Sequence, residues 1–140
     1  QELSLAQLCT DLLDMADAVA ESNEQTLSLS LLADHKVFGD KYLLFQALYN
    51  LVDNAMKYSG QGARIEIIQS GPQIQIRDNG PGIPDDSKER VFERLVRLDP
   101  SRHLQGTGLG LSMVKAILSR HNAKINLTDN HPGLVVTIKF

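Results

Sequence analysis

Apolar residues recur along this chain at two periods, and the switches between them outline its elements. Leu5, Leu8, Leu12, Met15 and Val19 return at intervals of three and four, which gathers them on one helical face, and Ser4 and Gln7 stand at capping-box spacing. A first helix from about Leu5 to Glu21 follows. Thr26-Leu27-Ser28-Leu29-Ser30-Leu31 then alternates polar with apolar, the period of a strand with one buried face, and Val37-Phe38 before Gly39 reads as a second, short strand. Asp40 is a good N-cap for a helix that runs to about Ser59, where Ser59-Gly60-Gln61-Gly62 stops it. Arg64-Ile65-Glu66-Ile67-Ile68 and Gln73-Ile74-Gln75-Ile76 alternate around Ser70-Gly71-Pro72 and predict an antiparallel hairpin, with Asp78 just past its second strand.

Residues 79–107 break this regularity. Pro81, Pro84, Pro100 and many polar turn formers exclude a long helix there and leave room for a short helical stretch around Lys88 to Leu95. After Gly110, Leu111, Val114, Ile117 and Leu118 share a helical face as far as His121. Strands from Lys124 to Thr128 and from Leu134 to Phe140 then flank an Asn130-His131-Pro132-Gly133 turn. Three helices and about five strands, in separate runs, predict an α/β (α+β) two-layer sandwich: a mixed, mostly antiparallel sheet with the three helices on one face. At 140 residues and 42% apolar content, the chain is expected to form one domain, 1–140, whose core needs no staples.

Composition narrows the partners. Lys and Arg number 14 against 17 Asp and Glu, the net charge is -3, and no basic run offers a footprint for nucleic acid. Apolar runs fall far short of the roughly 20 residues that span a bilayer, and the N-terminus lacks a basic-then-apolar signal pattern, so a soluble piece is expected. Cys9 is the sole cysteine, which excludes an internal disulfide and a thiolate metal cluster and suits a reducing cytoplasm.

The helix from Asp40 to Ser59 has two faces. At about 100° per residue, Leu44, Leu48, Leu51, Val52 and Ala55 fall in one sector, while Gln46, Asn50, Asn54 and Lys57 fall in a narrow sector opposite. The ordinary reading of such a stripe is a solvated face. Two asparagines four residues apart argue against it, because Asn is a mediocre helix former and exposed positions favour Glu, Lys, Arg or Ala. Carboxamide oxygens can ligate Mg²⁺, their amides can donate to phosphate, and a lysine one turn on adds positive charge, so the stripe could hold a metal triphosphate.

Two glycine-rich turns add to the pattern. Asp78-Asn79-Gly80-Pro81-Gly82-Ile83-Pro84 follows a strand, and Gly106-Thr107-Gly108-Leu109-Gly110-Leu111 opens a helix whose free N–H groups favour an anion. Either alone could be turn chemistry only. Neither fits the P-loop pattern, and the second has Leu111 where a dinucleotide fingerprint needs its third glycine and follows a loop instead of a strand.

In order, Asn50 to Ser59, Asp78 to Gly82, Val91-Phe92-Glu93-Arg94-Leu95 and Gly106 to Leu111 resemble the N box, first glycine box, F box and second glycine box of the histidine kinase catalytic domain. That domain belongs to the ATPase superfamily shared with DNA gyrase and mismatch-repair ATPases, and the resemblance covers nearly the whole chain. It implies a Bergerat-type ATP-binding fold, with ATP and Mg²⁺ as cofactors. Asn50 would ligate Mg²⁺, Asn54 and Lys57 would contact phosphates, and Tyr58 would pack near the base. Asp78 would accept the adenine 6-amino hydrogen, which suits an acceptor-only carboxylate facing an exocyclic amine where guanine presents an oxygen. Gly80 and Gly82 would pass the purine with Ile83 as an apolar contact, and Gly106, Thr107, Gly108, Leu109, Gly110 and Leu111 would line the phosphates. A mobile lid over about 83–107 would bring Arg94, Arg97, Arg102 and His103 as cations for the terminal phosphate, with Arg94 grouped with Asn50 and Lys57 as catalytic. Two positions depart from the pattern. Leu95 replaces a second aromatic of the F box, and Leu134 follows Gly133 where many relatives carry a threonine near the base.

The phosphoacceptor itself is missing from these residues. Relatives keep it in a His-Glu/Asp segment of a separate dimerising hairpin, and His35, His103, His121 and His131 all lack that context. The resemblance thus implies a cytoplasmic, monomeric kinase piece whose parent is anchored in a bacterial inner membrane. Its partners would be that hairpin and, downstream, a response regulator receiver domain. Two other functions compete: a gyrase-type ATPase, which needs a glutamate general base where this chain has Gln46, and a serine kinase or nucleotide-binding module of the anti-sigma type.

Overall fold

The structure, a computed structural model, describes residues 1–80, 110–130 and 133–140. The expected helical stretch around Lys88 to Leu95 and the expected lid over 83–107 lie outside the described residues.

Seven strands and three helices are described, in the order β1 (Glu2–Ser4), α1 (Leu5–Ser22), β2 (Thr26–Ala33), β3 (Lys36–Phe38), α2 (Lys41–Ser59), β4 (Arg64–Ser70), β5 (Gln73–Asp78), α3 (Gly110–Arg120), β6 (Lys124–Asp129) and β7 (Leu134–Lys139). Five strands form one sheet in the order β2-β4-β5-β7-β6, antiparallel except for the parallel pair β2–β4. Period-two alternation puts Ile65 and Ile67, Ile74 and Ile76, and Leu134, Val136 and Ile138 on the sheet face that joins the buried core. The helices supply the rest of that core through Leu5, Leu8 and Leu12, Leu44, Leu48 and Leu51, and Val114 and Leu118. The two-layer sandwich expected from the sequence is the fold observed.

Three differences have local causes. Strand β1 is an addition: three residues are too few to show alternation, and β1 is held outside the main sheet by antiparallel pairing with β3. Strand β2 continues to Ala33 through a register shift between Leu31 and Ala33, where two successive leucines break the polar–apolar alternation. The capping box is half made. Ser4 Oγ accepts from the Gln7 N–H at 3.1 Å, but the Gln7 amide turns forward to Asp11 at 3.0 Å.

Asp34 completes the helix start instead. Its carboxylate accepts from the Ala6 N–H at 3.0 Å, from the Ser4 hydroxyl at 2.9 Å and from the His35 N–H at 2.8 Å. These donors, led by Ala6 and Ser4, hold its pKa below the usual carboxylate value. Cys9 is fully buried on α1, and burial pushes its thiol up to about 12, so it is a core residue without nucleophilic character. Among the described residues no helix is long and apolar enough to cross a membrane, and none groups His, Cys, Asp and Glu as a metal cluster.

Candidate functional site

The site is built on α2, and side chains from two connections, before β2 and after α3, clamp that helix at both ends. At the start, Asp40 accepts from the Leu43 N–H at 3.1 Å as N-cap, while its own N–H donates to His121 Nε2 at 3.1 Å. The other ring nitrogen, Nδ1, lies 2.7 Å from the Ile117 carbonyl, which can only accept, so Nδ1 is the donor of this pair. Gly39 leaves room for the ring: a Cβ there would stand 2.2 Å from His121 Cδ2. At the far end, the Gln25 amide donates to the Met56 and Gly60 carbonyls at 2.8 and 2.9 Å, satisfying orphan carbonyls of the last turn.

The stripe on α2 is only in part a solvated face. Lys57 is exposed and pairs with Asp53 at 3.1 Å, whereas Gln46 and Asn50 are half-buried and Asn54 is 4% exposed. The Asn54 carboxamide oxygen is buried with no hydrogen-bond partner among the described residues. Burying an amide oxygen unpaired costs about 1–3 kcal/mol, so a donor or cation arriving at this oxygen would be favoured. Asn50 stands one turn earlier on the same face, which gives the helix two neutral carboxamides suited to a hard cation or a phosphate.

Asp78 is the second component. It is the last residue of β5, not a residue beyond the strand, and it continues the inward series Ile74, Ile76, Asp78. Alternation therefore carries a carboxylate onto the apolar face, where it is 2% exposed. Its backbone is fixed from both sides. Toward β4, the Asn79 N–H donates to the Arg64 carbonyl at 3.2 Å and Asn79 Oδ1 accepts from the Arg64 N–H at 2.7 Å. Toward β7, the Asp78 carbonyl accepts from Asn130 Nδ2 at 2.8 Å, and Gly133 at φ +103° lies so close that a Cβ would stand 1.9 Å from that carbonyl oxygen. A buried, acceptor-only carboxylate on a braced strand end can read a hydrogen-bond donor such as an amine.

Of the residues singled out in the sequence, the described fold therefore places Asn50, Asn54 and Lys57 along one helix, with Asp78 and buried Gly80 at the end of β5, a strand that packs under that helix. Gly110 opens α3, which packs beside α2. Gly82, Ile83, Arg94, Gly106, Thr107, Gly108 and Leu109, with the lid cations Arg97, Arg102 and His103, lie outside the described residues, as do the side chains of Tyr58 and Leu111. Sequence reasoning missed the bracing residues Gln25, Asn130 and His121. Only Asn130 carried a signal, as the first residue of a turn ending in glycine. The inward parity of Asp78 was also legible in Ile74-x-Ile76-x-Asp78.

Comparison with known proteins gives the family of this fold. The family described as histidine kinase-, DNA gyrase B- and HSP90-like ATPase matches residues 39–140. The chain is 33% identical over 139 residues to the adaptive-response sensory kinase SasA of Thermosynechococcus vestitus, covering 95% of this chain and 36% of that protein. It is 37% identical over 103 residues to the signal transduction histidine-protein kinase/phosphatase MprB of Mycolicibacterium smegmatis, covering 70% of this chain and 21% of that one. The chain thus spans about a third or less of the length of these relatives. The catalytic domain of histidine kinase ThkA superposes with a TM-score of 0.77 at 25% identity, covering 100% of this chain and 93% of that one. With a family match across the asparagine helix, the Asp78 strand end and the last hairpin, and a shared fold over the whole length, the chain belongs to the histidine kinase-, DNA gyrase B- and HSP90-like ATPase family.

Proposed function

We propose that this chain binds ATP with Mg²⁺ and transfers the γ-phosphoryl group to a histidine on a separate dimerisation hairpin, as the catalytic domain of a two-component signalling kinase. The observation that carries this reading is the pairing of a buried carboxylate, Asp78, with a helix face that buries an Asn54 oxygen without a hydrogen-bond partner among the described residues. Asp78 accepts the adenine amine, Asn50 holds the metal, and Asn54 and Lys57 contact phosphate oxygens, Lys57 exchanging its bond to Asp53 for them. Tyr58, Gly80, Gly82 and Ile83 border the base. To Gly106, Thr107, Gly108, Leu109, Gly110 and Leu111, the sequence that leads into α3, we assign the phosphates, and to Arg94 the role of a further cation. Bound Mg-ATP supplies the phosphoryl group. The chain's own residues orient it and offset its charge.

Gln46 separates this reading from a gyrase-type ATPase. It is half-buried on α2, one turn before Asn50, and a neutral amide there can position a water but cannot take its proton. The resemblance to named histidine kinases supports a partner hairpin and a downstream receiver domain; a monomeric, cytoplasmic piece within a parent anchored in the inner membrane belongs to the same proposal. Calorimetry with ATP and GTP tests the reading at its base. Strong preference for ATP, lost in Asp78→Asn, is expected; equal affinity for GTP would refute it.

A further inference from the structure

The turn between β6 and β7 has a role that extends past closing a hairpin. Registered pairing between β5 and β7 is recorded as far as Arg77 and Val135, and one residue further along β5 the peptide carbonyl of Asp78 meets the side chain of Asn130. Its Nδ2 donates to the Asp78 carbonyl at 2.8 Å, and its own N–H donates to the Gly133 carbonyl at 3.1 Å, so one residue ties the turn to itself and to the end of β5. Gly133 completes the seat. A Cβ there would lie 1.9 Å from the Asp78 carbonyl oxygen and 2.9 Å from its Oδ1, so carbonyl and carboxylate both face the same bare Cα.

We propose that Asn130 is a positioning residue for base selection: it fixes the peptide from which Asp78 presents its carboxylate, and so sets how well the site distinguishes a purine bearing a 6-amino group from one without it. This rests on the reading of Asp78 given above. A donor at Asn130 that holds only the fold would support every nucleotide equally. A donor that aims the carboxylate would matter only when an amine is there to be met.

The experiment is calorimetric titration of the chain with ATP and with purine riboside triphosphate, which carries hydrogen in place of the amine. Wild type is expected to favour ATP by roughly 10-fold or more, the worth of a hydrogen bond to a charged acceptor. Asn130→Ala should weaken ATP by about 3- to 10-fold, one neutral hydrogen bond's worth, and leave the amine-free nucleotide unchanged. Asn130→Asp keeps the shape without the donor and should show the same selective loss, which guards against an alanine variant that folds poorly. In an Asp78→Asn background, adding Asn130→Ala should change neither affinity, because the two act through one contact. Equal weakening of both nucleotides, or unchanged ATP affinity, would overturn the role of Asn130. An Asp78→Asn chain that kept the wild-type preference would instead overturn the reading of Asp78 itself.

Discussion

Replacing Gly133 by alanine tests the most closely packed point of the site. A Cβ at this position would meet the Asp78 carbonyl oxygen at 1.9 Å and its carbon at 2.7 Å, far inside contact distance, and both are backbone atoms that cannot swing aside. The φ of +103° adds strain of about 1–3 kcal/mol for any residue with a side chain. Parting the two strand ends also releases the Asn130 bond to Asp78, about 0.5–1.5 kcal/mol. These two terms sum to roughly 1.5–4.5 kcal/mol before the steric clash is added, a large share of the about 5–15 kcal/mol of an ordinary domain and enough to lower Tm by on the order of 10 °C at this length. Gly71→Ala is the internal control. Its φ is +58° with nothing within 4 Å of the added carbon, so it carries the dihedral strain alone, about 1–2 kcal/mol. Thermal unfolding of both variants, with ATP titration of each at a temperature where both are folded, separates sterics from dihedral strain. Gly71→Ala should bind ATP as wild type does, and Gly133→Ala should bind it weakly. A Gly133→Ala chain that melts no lower than Gly71→Ala, or that keeps full ATP affinity, would show that the turn does not brace Asp78.

Four further outcomes are expected. Asn50→Ala should abolish the Mg²⁺ dependence of nucleotide binding and, with a hairpin supplied in trans, phosphotransfer; activity retained at wild-type level would make Asn50 a bystander. Gln46→Glu should raise slow steady-state ATP hydrolysis, toward the roughly 10²–10⁴-fold that a general base contributes, with affinity little changed; fast hydrolysis by the unmodified chain would favour a gyrase-type activity. Asp34→Asn should lower Tm at pH 7. Because the folded-state pKa of Asp34 is depressed, its stabilisation is present above the ordinary carboxylate value and is lost as pH falls through the folded value, so the gap between variant and wild type should close in acid. A constant gap from pH 7 to the acid limit would dismiss the linkage. Cys9, buried and with its thiol pushed up to about 12, should resist alkylation at pH 8 until the chain is unfolded, and rapid labelling of the native chain would contradict its burial.

Periodicity located most elements because each buries one face, and burial is written in the order of side chains. Leu5 to Val19 and Leu44 to Ala55 had the spacing of helices and became helices, although the buried face of α1 continues through Ala16 and Ala20 and leaves Met15 and Val19 exposed. The Ile65–Ile67 and Ile74–Ile76 series became paired strands in the hairpin expected of them. What periodicity cannot encode is partner and direction. Thr26-Leu27-Ser28-Leu29 alternates in the same way whether its neighbour runs parallel or antiparallel, and only the structure shows it parallel to β4. The site followed the same division. Chemistry legible in residue type, such as paired asparagines and a carboxylate after a strand, was found on the page of sequence. Bracing contacts formed across long separations, such as Gln25 to Met56 and Asn130 to Asp78, have no local pattern and were not.

The parallel pairing of β2 with β4 also bears on the order in which the molecule can assemble. The β4–β5 hairpin closes across a tight turn, whereas β2 meets β4 only after the 38 positions from Thr26 to Arg64 have been gathered in, α2 among them. By loop-closure entropy alone the second closure costs on the order of 2–3 kcal/mol more than the first. Strands laid side by side in the same direction need a crossover, and here that crossover contains the asparagine helix itself. The segment that bears Asn50 and Asn54 is therefore knitted into the molecule as the link of its one parallel pairing among the described strands, and the chain cannot finish its sheet without also setting that helix in place.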